Sequence, residues 1–554
     1  MPTTERGGLS VAADLVVVGA HVVTVVEGGA PASAVAVERD RIVAVGTDDD
    51  VADLIGPSTE VLDGSGGTLL PGFVDAHNHV RLGSNANAVS LFGATSLEEI
   101  RARIAARAAA DPAGDWIEGE GWNYAAVPGG RPTAAMLDGV AGGRPTFLFS
   151  YDVHTVWMNR EAMTRLGISR DADERLAWGH VEKDATGDPT GFVTDFAVLG
   201  ISERGQRELE RAGIPGYATA TQYARLVESL DMAIGYGITT IVEPQNGLDD
   251  LELFARARND GTLRSRLIAA MLCLPGTDAA RLDDLEEARR AFDDDRLRVA
   301  PIKLYIDDVI EPHTAAMLEP YADVPGTSGD TFWEPTEFTS FLVELERRGF
   351  QAFTHATGDR GIRTVLDAVQ RCRDVHGPRD ARHQIVHVEC VHPDDLARFA
   401  SLGVVACMQP RHCAPDIVAD WRSAVGPERE RYAWPFRSLR DAGAVLAFSS
   451  DWNVAEMDPM TWLYTAVTRA DLAGSGAWNT AETVDLATAI RAATWGSAYA
   501  NFLEHDRGSI APGMRADLAL LSRDITALDD PRDLLHTATD IAIVGGEVAF
   551  RRDA

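Results

Sequence analysis

Short apolar runs alternate with helical segments through the middle of the chain, and eight of these runs have the composition of strands. They are rich in Val, Ile, Leu and Phe, and turn residues bound them. They are the run that ends at His77, and then Ile238–Val242, Leu267–Leu274, Val299–Ile306, Phe350–Thr354, His383–Val386, Val404–Met408 and Val445–Ser450. Eight strands separated by helices predict an α/β fold, a closed (β/α)8 TIM barrel.

Both ends of the chain have a different sequence pattern, with short Val-rich runs separated by Gly. Examples are Leu15–Val18 and Val35–Val37 near the N-terminus, and Ala516–Leu521 and Ile541–Val548 near the C-terminus. Because chain ends commonly lie close together, we predict a small β-sandwich domain built from both termini. The predicted limits are 1–70 and 507–554 for the sandwich and 71–506 for the barrel.

The first and second predicted strands are about 150 residues apart, far more than an ordinary strand-to-helix connection. This interval predicts an inserted subdomain at about 85–220. The insertion is rich in aromatic residues, namely Trp116, Trp122, Tyr124, Tyr151, Trp157 and Trp178. We therefore expect it to act as a lid that makes an apolar pocket from which water is excluded.

Polar residues stand where several predicted barrel strands end. His77 and His79 are two positions apart, so in an extended strand both side chains point to the same face. Glu243, His355, His387 and Asp451 end four later strands, and Lys303 lies inside an apolar one. Active sites of such barrels lie at the carboxyl ends of the strands. Imidazole and carboxylate are usual ligands of Zn²⁺ and similar ions, and an ion with open positions ionises a bound water near pH 7.

Each of these residues also has a structural interpretation. His355 and His387 suit hydrogen-bonded core positions, and Asp451 suits a helix cap after Ser449 and Ser450. Lys303 suits an ion pair with Asp307 or Asp308. All of these interpretations would have to hold together at the mouth of one barrel, so the sequence favours a metal site. Asp75, deeper in the first strand, is predicted to be a structural hydrogen-bond partner.

The composition excludes some functions. The 554 residues carry a formal net charge of −33, with 84 acidic and 51 basic residues. Such a surface repels nucleic acid and anionic membranes. The five cysteines form no Cys-x-x-Cys pair, which argues against a disulfide framework and a zinc knuckle and fits a cytoplasmic protein. The apolar run near the N-terminus is too short to span a membrane.

The segment Pro71–His79 (PGFVDAHNH) resembles the opening motif of the amidohydrolase superfamily, and later segments resemble its amidohydrolase 3 branch, which includes N-substituted formamide deformylases. The matching segments are Asp152–Asn159, Lys303–Asp323, His355–Arg360, Arg382–Pro393, Met408–Pro410, Phe436–Asp451 and Gly508–Leu518. The resemblance spans nearly the whole chain. It departs from the usual pattern at Asn78, at Asp308, where Gly is more usual, and at Asn453, where Pro is common.

The resemblance implies roles for the candidate residues. His77 and His79 would bind one divalent ion, shared with Asp451, and His355 and His387 would bind a second. Zinc is the expected metal, with one or two ions. Lys303 resembles the lysine that many relatives carry as a carboxylated, metal-bridging group. Asp451 would be the general base. We also place His154, Glu243, His313, Gln409 and His412 among the substrate-binding candidates.

The sequence thus predicts a metal-dependent hydrolase of a non-peptide C–N bond, such as an amide, an N-formyl group or a cyclic amide. A deaminase of an aminated heterocycle and a catalytically silent homologue that binds a small molecule are the alternatives. We expect a small-molecule substrate, no nucleic-acid or membrane partner and, from the resemblance, a homodimer.

Overall fold

Eight parallel strands form the central sheet of the protein in a computed structural model that describes residues 12–83, 88–200 and 202–553. Residues 1–11 of the predicted sandwich segment and residues 85–87 and 201 of the predicted insertion lie outside the described residues. The strands are, in chain order, β1 (Leu15–Val18), β2 (His21–Val22), β3 (Ala34–Glu38), β4 (Arg41–Gly46), β5 (Glu60–Asp63), β6 (Thr68–Pro71), β7 (Phe73–Asp75), β8 (Val89–Ser90), β9 (Ile117–Trp122), β10 (Thr146–Ser150), β11 (Val156–Met158), β12 (Arg175–Leu176), β13 (Gly179–Lys183), β14 (Pro189–Thr194), β15 (Ile238–Asn246), β16 (Arg266–Leu272), β17 (Leu297–Tyr305), β18 (Ala352–Ala356), β19 (Gln384–His387), β20 (Val405–Met408), β21 (Leu446–Phe448), β22 (Leu518–Leu521), β23 (Thr539–Val544) and β24 (Glu547–Arg551).

Helices connect the strands of the central sheet. The α-helices of at least six residues are α1 (Leu97–Ala110), α2 (Arg160–Arg165), α3 (Glu203–Arg211), α4 (Thr219–Gly235), α5 (Asp250–Asn259), α6 (Ala279–Ala291), α7 (Pro335–Arg347), α8 (Asp359–His376), α9 (Leu396–Leu402), α10 (Ala419–Val425), α11 (Phe436–Asp441), α12 (Pro459–Thr468) and α13 (Leu486–Arg491). Among the described residues, no helix is both long and apolar enough to cross a membrane.

The central sheet runs in the order β21-β20-β19-β18-β17-β16-β15-β7, so the first and last strands of the barrel are its two edges. The two edges meet: Ala76 N–H points to Phe448 O at 3.5 Å, and Asp451 N–H donates to His77 O at 2.8 Å. The strands are buried on both faces, which is why they appear in the sequence as continuous apolar runs. The predicted barrel is confirmed, and each of the eight predicted runs contributes one of its strands.

The two chain ends together form a β-sandwich. One sheet has the order β4-β3-β1-β5, and the other, β2-β6-β22-β23-β24, combines strands from both termini. Leu15 and Val35 of the first sheet share a core with Leu518 and Ile543 of the second. This part of the predicted fold class is also confirmed.

The insertion after β7 contains a third sheet, in the order β12-β13-β14-β11-β10-β9-β8. Most of its aromatic residues pack into its own cores: Trp122 and Trp157 on one side, and Trp116 and Trp178 on the other. The aromatic residues therefore mainly stabilise the insertion itself, and of those named in the sequence Tyr151 reaches the cavities described below.

A buried ion pair joins the barrel to the sandwich. Arg266 on β16 donates to both carboxylate oxygens of Asp517, at 2.8 and 3.0 Å, and both side chains are almost fully buried. Replacing Asp517 with Ala removes the carboxylate that pairs with the buried guanidinium of Arg266. We therefore expect the free energy of unfolding, measured by urea denaturation, to fall by about 3 kcal/mol. Asp540→Ala, which removes an exposed pair with Arg552, is the control and should cost less than about 1 kcal/mol. Equal losses in the two variants would contradict the expected role of burial.

Candidate metal centre

Three ligand atoms converge just past the ends of the first and last barrel strands. His77 Nε2 and His79 Nε2 are 3.3 Å apart, and they lie 3.2 and 3.3 Å from Asp451 Oδ1. Bonds of 2.0–2.1 Å to a tetrahedral ion place ligand atoms about 3.3 Å apart. All three side chains are buried. The three donor atoms therefore already have the spacing of one face of a tetrahedral metal site.

Asp75 holds the two strands that carry these ligands. Its carboxylate accepts hydrogen bonds from Ser450 N–H at 3.0 Å, Ser450 Oγ at 2.6 Å and Asn78 Nδ2 at 2.8 Å. Burial raises the pKa of Asp75 to about 7, and these hydrogen bonds act in the opposite direction. The predicted structural role of Asp75 is confirmed, and Asn78 is part of the same support.

The backbone is strained at two of the candidate ligands. Asp451 and His387 adopt φ values of +56° and +78°, in the left-handed region that residues other than Gly rarely occupy, although Asn, Asp and His do so more often than the rest. Such conformations cost on the order of 1–3 kcal/mol each and cluster at functional sites. Here they turn both side chains into one cavity beyond the barrel strands.

Burial also sets the charges of the ligand atoms. It lowers the pKa of His77 to about 3, with a further contribution from nearby Lys303, so the imidazole is neutral. Burial alone would raise the pKa of Asp451, but His77, His79 and His387 hold it well below its usual range. Neutral imidazole and ionised carboxylate are the forms that bind metal ions.

Lys303 lies on β17 and is fully buried. Its Nζ has no hydrogen-bond partner among the described residues and lies 4.5 Å from the ring centre of Tyr305 and 5.5 Å from that of Phe353. Burial lowers its pKa to about 8. The ion pair with Asp307 or Asp308 considered above is not formed, and an unpaired ammonium is costly in such surroundings.

His355 and His387 complete the predicted ligand set. Their ring centres are 4.4 Å apart, and His387 lies 5.2 Å from His77. His355 Nε2 donates to the Asp308 carbonyl at 2.9 Å, which leaves Nδ1 with a free lone pair. The six predicted metal ligands, His77, His79, Lys303, His355, His387 and Asp451, line one cavity, called here the metal cavity.

Two of the five predicted substrate-binding residues line a cavity at the metal centre, and three do not. His154 lines the metal cavity, and His412 lines an adjoining one, with Nε2 at 3.5 Å from Asp451 Oδ2. Glu243 is buried 4.0 Å from His79 Nδ1, behind the ligand. Gln409 is buried and donates to Ser449 Oγ at 2.9 Å. His313 pairs with Asp323 at 2.9 Å and is outside the described lining of either cavity.

Several cavity residues were absent from the sequence prediction. They are Asp152, Gln245, Tyr305, Glu311, Glu389 and Trp434. Glu389 follows His387 by two positions in the sequence, and in the structure it forms with His387 and His412 a second group of potential ligand atoms. Gln245 and Tyr305 lie at the ends of β15 and β17, and Tyr305 follows Lys303 by two positions on the same strand. The others come from segments after strands or from loops, whose direction the strand pattern does not determine.

Asp308 pairs with His154 through the Nδ1 atom. Burial lowers the pKa of His154, but the Asp308 carboxylate more than reverses this and raises it to about 9. Because this pKa lies above the value of about 6.5 in the unfolded chain, the charged form of His154 stabilises the folded protein at pH values below 6.5. The stabilisation disappears as the pH rises to about 9.

We therefore expect Asp308→Asn to destabilise the protein by up to about 3 kcal/mol at pH 6, and by much less at pH 9.5. Denaturant unfolding across this pH range measures the difference from the unmodified protein. Asp323→Asn, which removes the partner of the partly exposed His313, is the control and should give no comparable pH dependence. A difference that is constant with pH would show that His154 is not charged.

A second cavity, of about 610 Å³, adjoins the metal cavity on the side of the insertion. Phe92, Phe149, Phe196 and Tyr217 line it, and Leu82, Val153 and Asn453 line both cavities. This aromatic cavity can receive an apolar group attached to a molecule bound at the metal centre.

The sequence model of the amidohydrolase family matches residues 60–550. The chain belongs to the amidohydrolase family. The resemblance seen in the motifs is confirmed, and the match covers the barrel, the insertion and the part of the sandwich from residue 60 onward.

Individual relatives match over most of their length. N-substituted formamide deformylase of Arthrobacter pascens is 28% identical over 92% of this chain and 94% of its own. Protein LONG AFTER FAR-RED 3 of Arabidopsis thaliana is 27% identical over 92% of this chain and 88% of its own. An uncharacterised metal-dependent hydrolase from Pyrococcus furiosus has a solved structure that matches with a TM-score of 0.69 at 25% identity, covering 92% of this chain and 99% of that one. This amidohydrolase thus has metal-dependent hydrolases among its structural neighbours.

Proposed function

We propose that this amidohydrolase hydrolyses a non-peptide C–N bond of a small molecule, with a divalent metal ion held by His77, His79 and Asp451. The convergence of these three ligand atoms at 3.2–3.3 Å carries the proposal. Zinc is the first candidate, because two imidazoles and one carboxylate are a common zinc donor set. The similarity to a formamide deformylase supports an amide or N-formyl substrate.

Lys303, His355 and His387 would hold a second ion if the lysine is carboxylated. The neutral amine of Lys303 is the form that adds carbon dioxide, and its lowered pKa favours that form. Carboxylation would replace an unpaired ammonium by an anionic oxygen ligand and release a proton. A bound ion would supply Lewis-acid polarisation of the scissile carbonyl and lower the pKa of water.

The two carboxylate oxygens of Asp451 have different surroundings. Oδ1 lies against His77 and His79, whereas Oδ2 lies 3.8 Å from His387 Nδ1 and 3.5 Å from His412 Nε2. Oδ2 is therefore the atom placed to take a proton from the attacking water and return it to the departing nitrogen. His412 Nε2 has no hydrogen-bond partner among the described residues. Burial lowers its pKa, so its neutral ring can donate an N–H to a substrate carbonyl oxygen.

Elemental analysis of the purified protein, together with a panel of formamides, amides, cyclic imides and aminated heterocycles, tests this function. We expect at least one equivalent of metal and release of an amine or a carboxylate from an amide-type compound. Release of ammonia from a heterocycle would replace the proposal by a deaminase. Absence of turnover after metal addition would favour a catalytically silent homologue.

A further inference from the structure

The two ring nitrogens of His79 have different surroundings. Nε2 belongs to the candidate metal centre and lies 3.3 Å from both His77 Nε2 and Asp451 Oδ1. Nδ1 is buried and has no hydrogen-bond partner among the described residues. A neutral imidazole has one N–H and one lone pair, so an ion bound at Nε2 leaves the proton on Nδ1. Metal binding therefore makes Nδ1 a buried donor that needs an acceptor.

Glu243 has an acceptor atom in the matching position. Its Oε1 lies 4.0 Å from His79 Nδ1, both side chains are buried, and Oε1 also has no hydrogen-bond partner in the described part of the chain. The other oxygen, Oε2, accepts from the Gln245 N–H at 3.2 Å, which helps to hold the carboxylate in place. The two unsatisfied atoms thus face each other at a distance about 1 Å longer than a hydrogen bond.

Backbone hydrogen bonds keep the two side chains close together. His79 follows β7, and Glu243 lies on β15, the strand that pairs with β7 in the barrel. Asn78 N–H donates to Val242 O at 2.9 Å, so the residues immediately before His79 and Glu243 are joined. The His79 N–H itself donates to Trp452 O at 2.6 Å. Closing the remaining gap therefore requires side-chain rotation and no change in the barrel.

We propose that Glu243 is a positioning residue, which accepts the Nδ1–H of His79 in the metal-loaded protein and so directs the Nε2 lone pair at the ion. This inference rests on the proposed function, because it requires an ion at His77, His79 and Asp451. A hydrogen bond from a ligand imidazole to a carboxylate fixes the tautomer and the ring orientation and makes the ligating nitrogen more basic. Glu243, a substrate-binding candidate from the sequence, then acts through His79 and does not touch the substrate.

The affinity for Zn²⁺ tests this role without any substrate. Metal-free protein is titrated with Zn²⁺ in competition with a chelating dye. Glu243→Leu removes the acceptor with little change in size, and we expect the Kd for Zn²⁺ to rise about 10- to 100-fold. Glu243→Gln should give an intermediate Kd, because its single carbonyl oxygen can serve only one of the two donors, His79 Nδ1–H and Gln245 N–H.

The outcomes separate this inference from the proposed function. An unchanged Kd in Glu243→Leu would overturn the role of Glu243 and leave the metal centre intact. Absence of Zn²⁺ binding by the unmodified protein would overturn the proposed function, and the inference with it.

A second buried Glu–His pair, at the opposite end of the barrel, provides the matched control. His383 Nε2 lies 3.1 Å from Glu346 Oε2, and His383 Nδ1 accepts from the Ala352 N–H at 3.0 Å. Nε2 therefore carries the proton, and neither nitrogen offers a lone pair to an ion. Glu346→Leu is expected to lower the thermal midpoint without changing the Kd for Zn²⁺. Equal rises of Kd in Glu346→Leu and Glu243→Leu would overturn the inference, because they would reflect a general loss of structure.

Nuclear magnetic resonance of the imidazole N–H groups observes the hydrogen bond directly. Buried, hydrogen-bonded N–H groups exchange slowly with water and give signals that persist. We expect the His79 Nδ1–H signal to appear on loading with Zn²⁺, to be lost in Glu243→Leu and to remain in Glu346→Leu, which loses the Nε2–H signal of His383 instead. Its absence from the Zn²⁺-loaded unmodified protein, or its persistence unchanged in Glu243→Leu, would overturn the inference.

Discussion

Replacing Asp451 with Asn is expected to abolish turnover while leaving much of the metal bound. The substitution keeps an oxygen at the position of Oδ1 beside His77 and His79, so a weaker ligand remains. It removes the group that takes the proton from water at Oδ2. Loss of a general base typically lowers kcat by 10²- to 10⁴-fold, and we expect about 10³-fold.

The measurement is kcat together with metal content on the same preparation. Asp394→Asn, at a carboxylate with a side chain 84% exposed after β19, is the control for the charge change and should be fully active. Near-normal turnover in Asp451→Asn would show that another group accepts the proton. Complete loss of metal would leave ligand loss as the cause of inactivity.

Replacing Lys303 with Met is expected to remove metal without unfolding the protein. Met retains an unbranched apolar side chain, and the substitution eliminates a buried amine that has no hydrogen-bond partner. We therefore expect a thermal midpoint equal to or above that of the unmodified, metal-free protein. If the lysine bridges two ions as a carbamate, the variant should bind at least one equivalent less, and kcat should fall by about 10²-fold or more.

Added short carboxylic acids test whether Lys303 bridges metal ions as a carbamate or only fills its place in the cavity. In Lys303→Ala the vacated space admits acetate or propionate, whose oxygen atoms can replace those of a carbamate. Partial recovery of metal content and activity on adding these acids would support bridging, with the Met variant, which fills the space, as the unresponsive control. Full metal content in both variants would exclude Lys303 as a ligand.

The barrel could be predicted because its strands are buried on both faces. Runs such as Leu267–Leu274 and Val404–Met408 are nearly continuous in apolar residues, and their number and spacing are sufficient to indicate the topology. The ligand positions followed from the same logic, since His77, His355 and His387 lie at or just after strand ends, and the carboxyl ends of parallel barrel strands meet on one side. Whether they bind metal stays a prediction.

Loop positions could not be placed in the same way. His313 and Glu311 are two residues apart in one loop, yet Glu311 lines the cavity that contains His412, and His313 pairs with Asp323 outside the described lining of that cavity. The aromatic residues of the insertion were equally ambiguous, because Trp122 and Trp157 fill a core that only the fold of β9–β14 creates. In such regions tertiary packing, and not local periodicity, determines where a side chain points.

The closure of the barrel between β7 and β21 has a consequence for metal loading. Each edge strand is three residues long, and a few hydrogen bonds, among them those of Asp75 to Ser450, join the two edges. An ion bound by His77, His79 and Asp451 would tie one edge to the other as a cross-link. Metal-free and metal-loaded protein should then differ most in the rate at which β7 and β21 separate. The metal would therefore stabilise the fold as well as take part in the reaction.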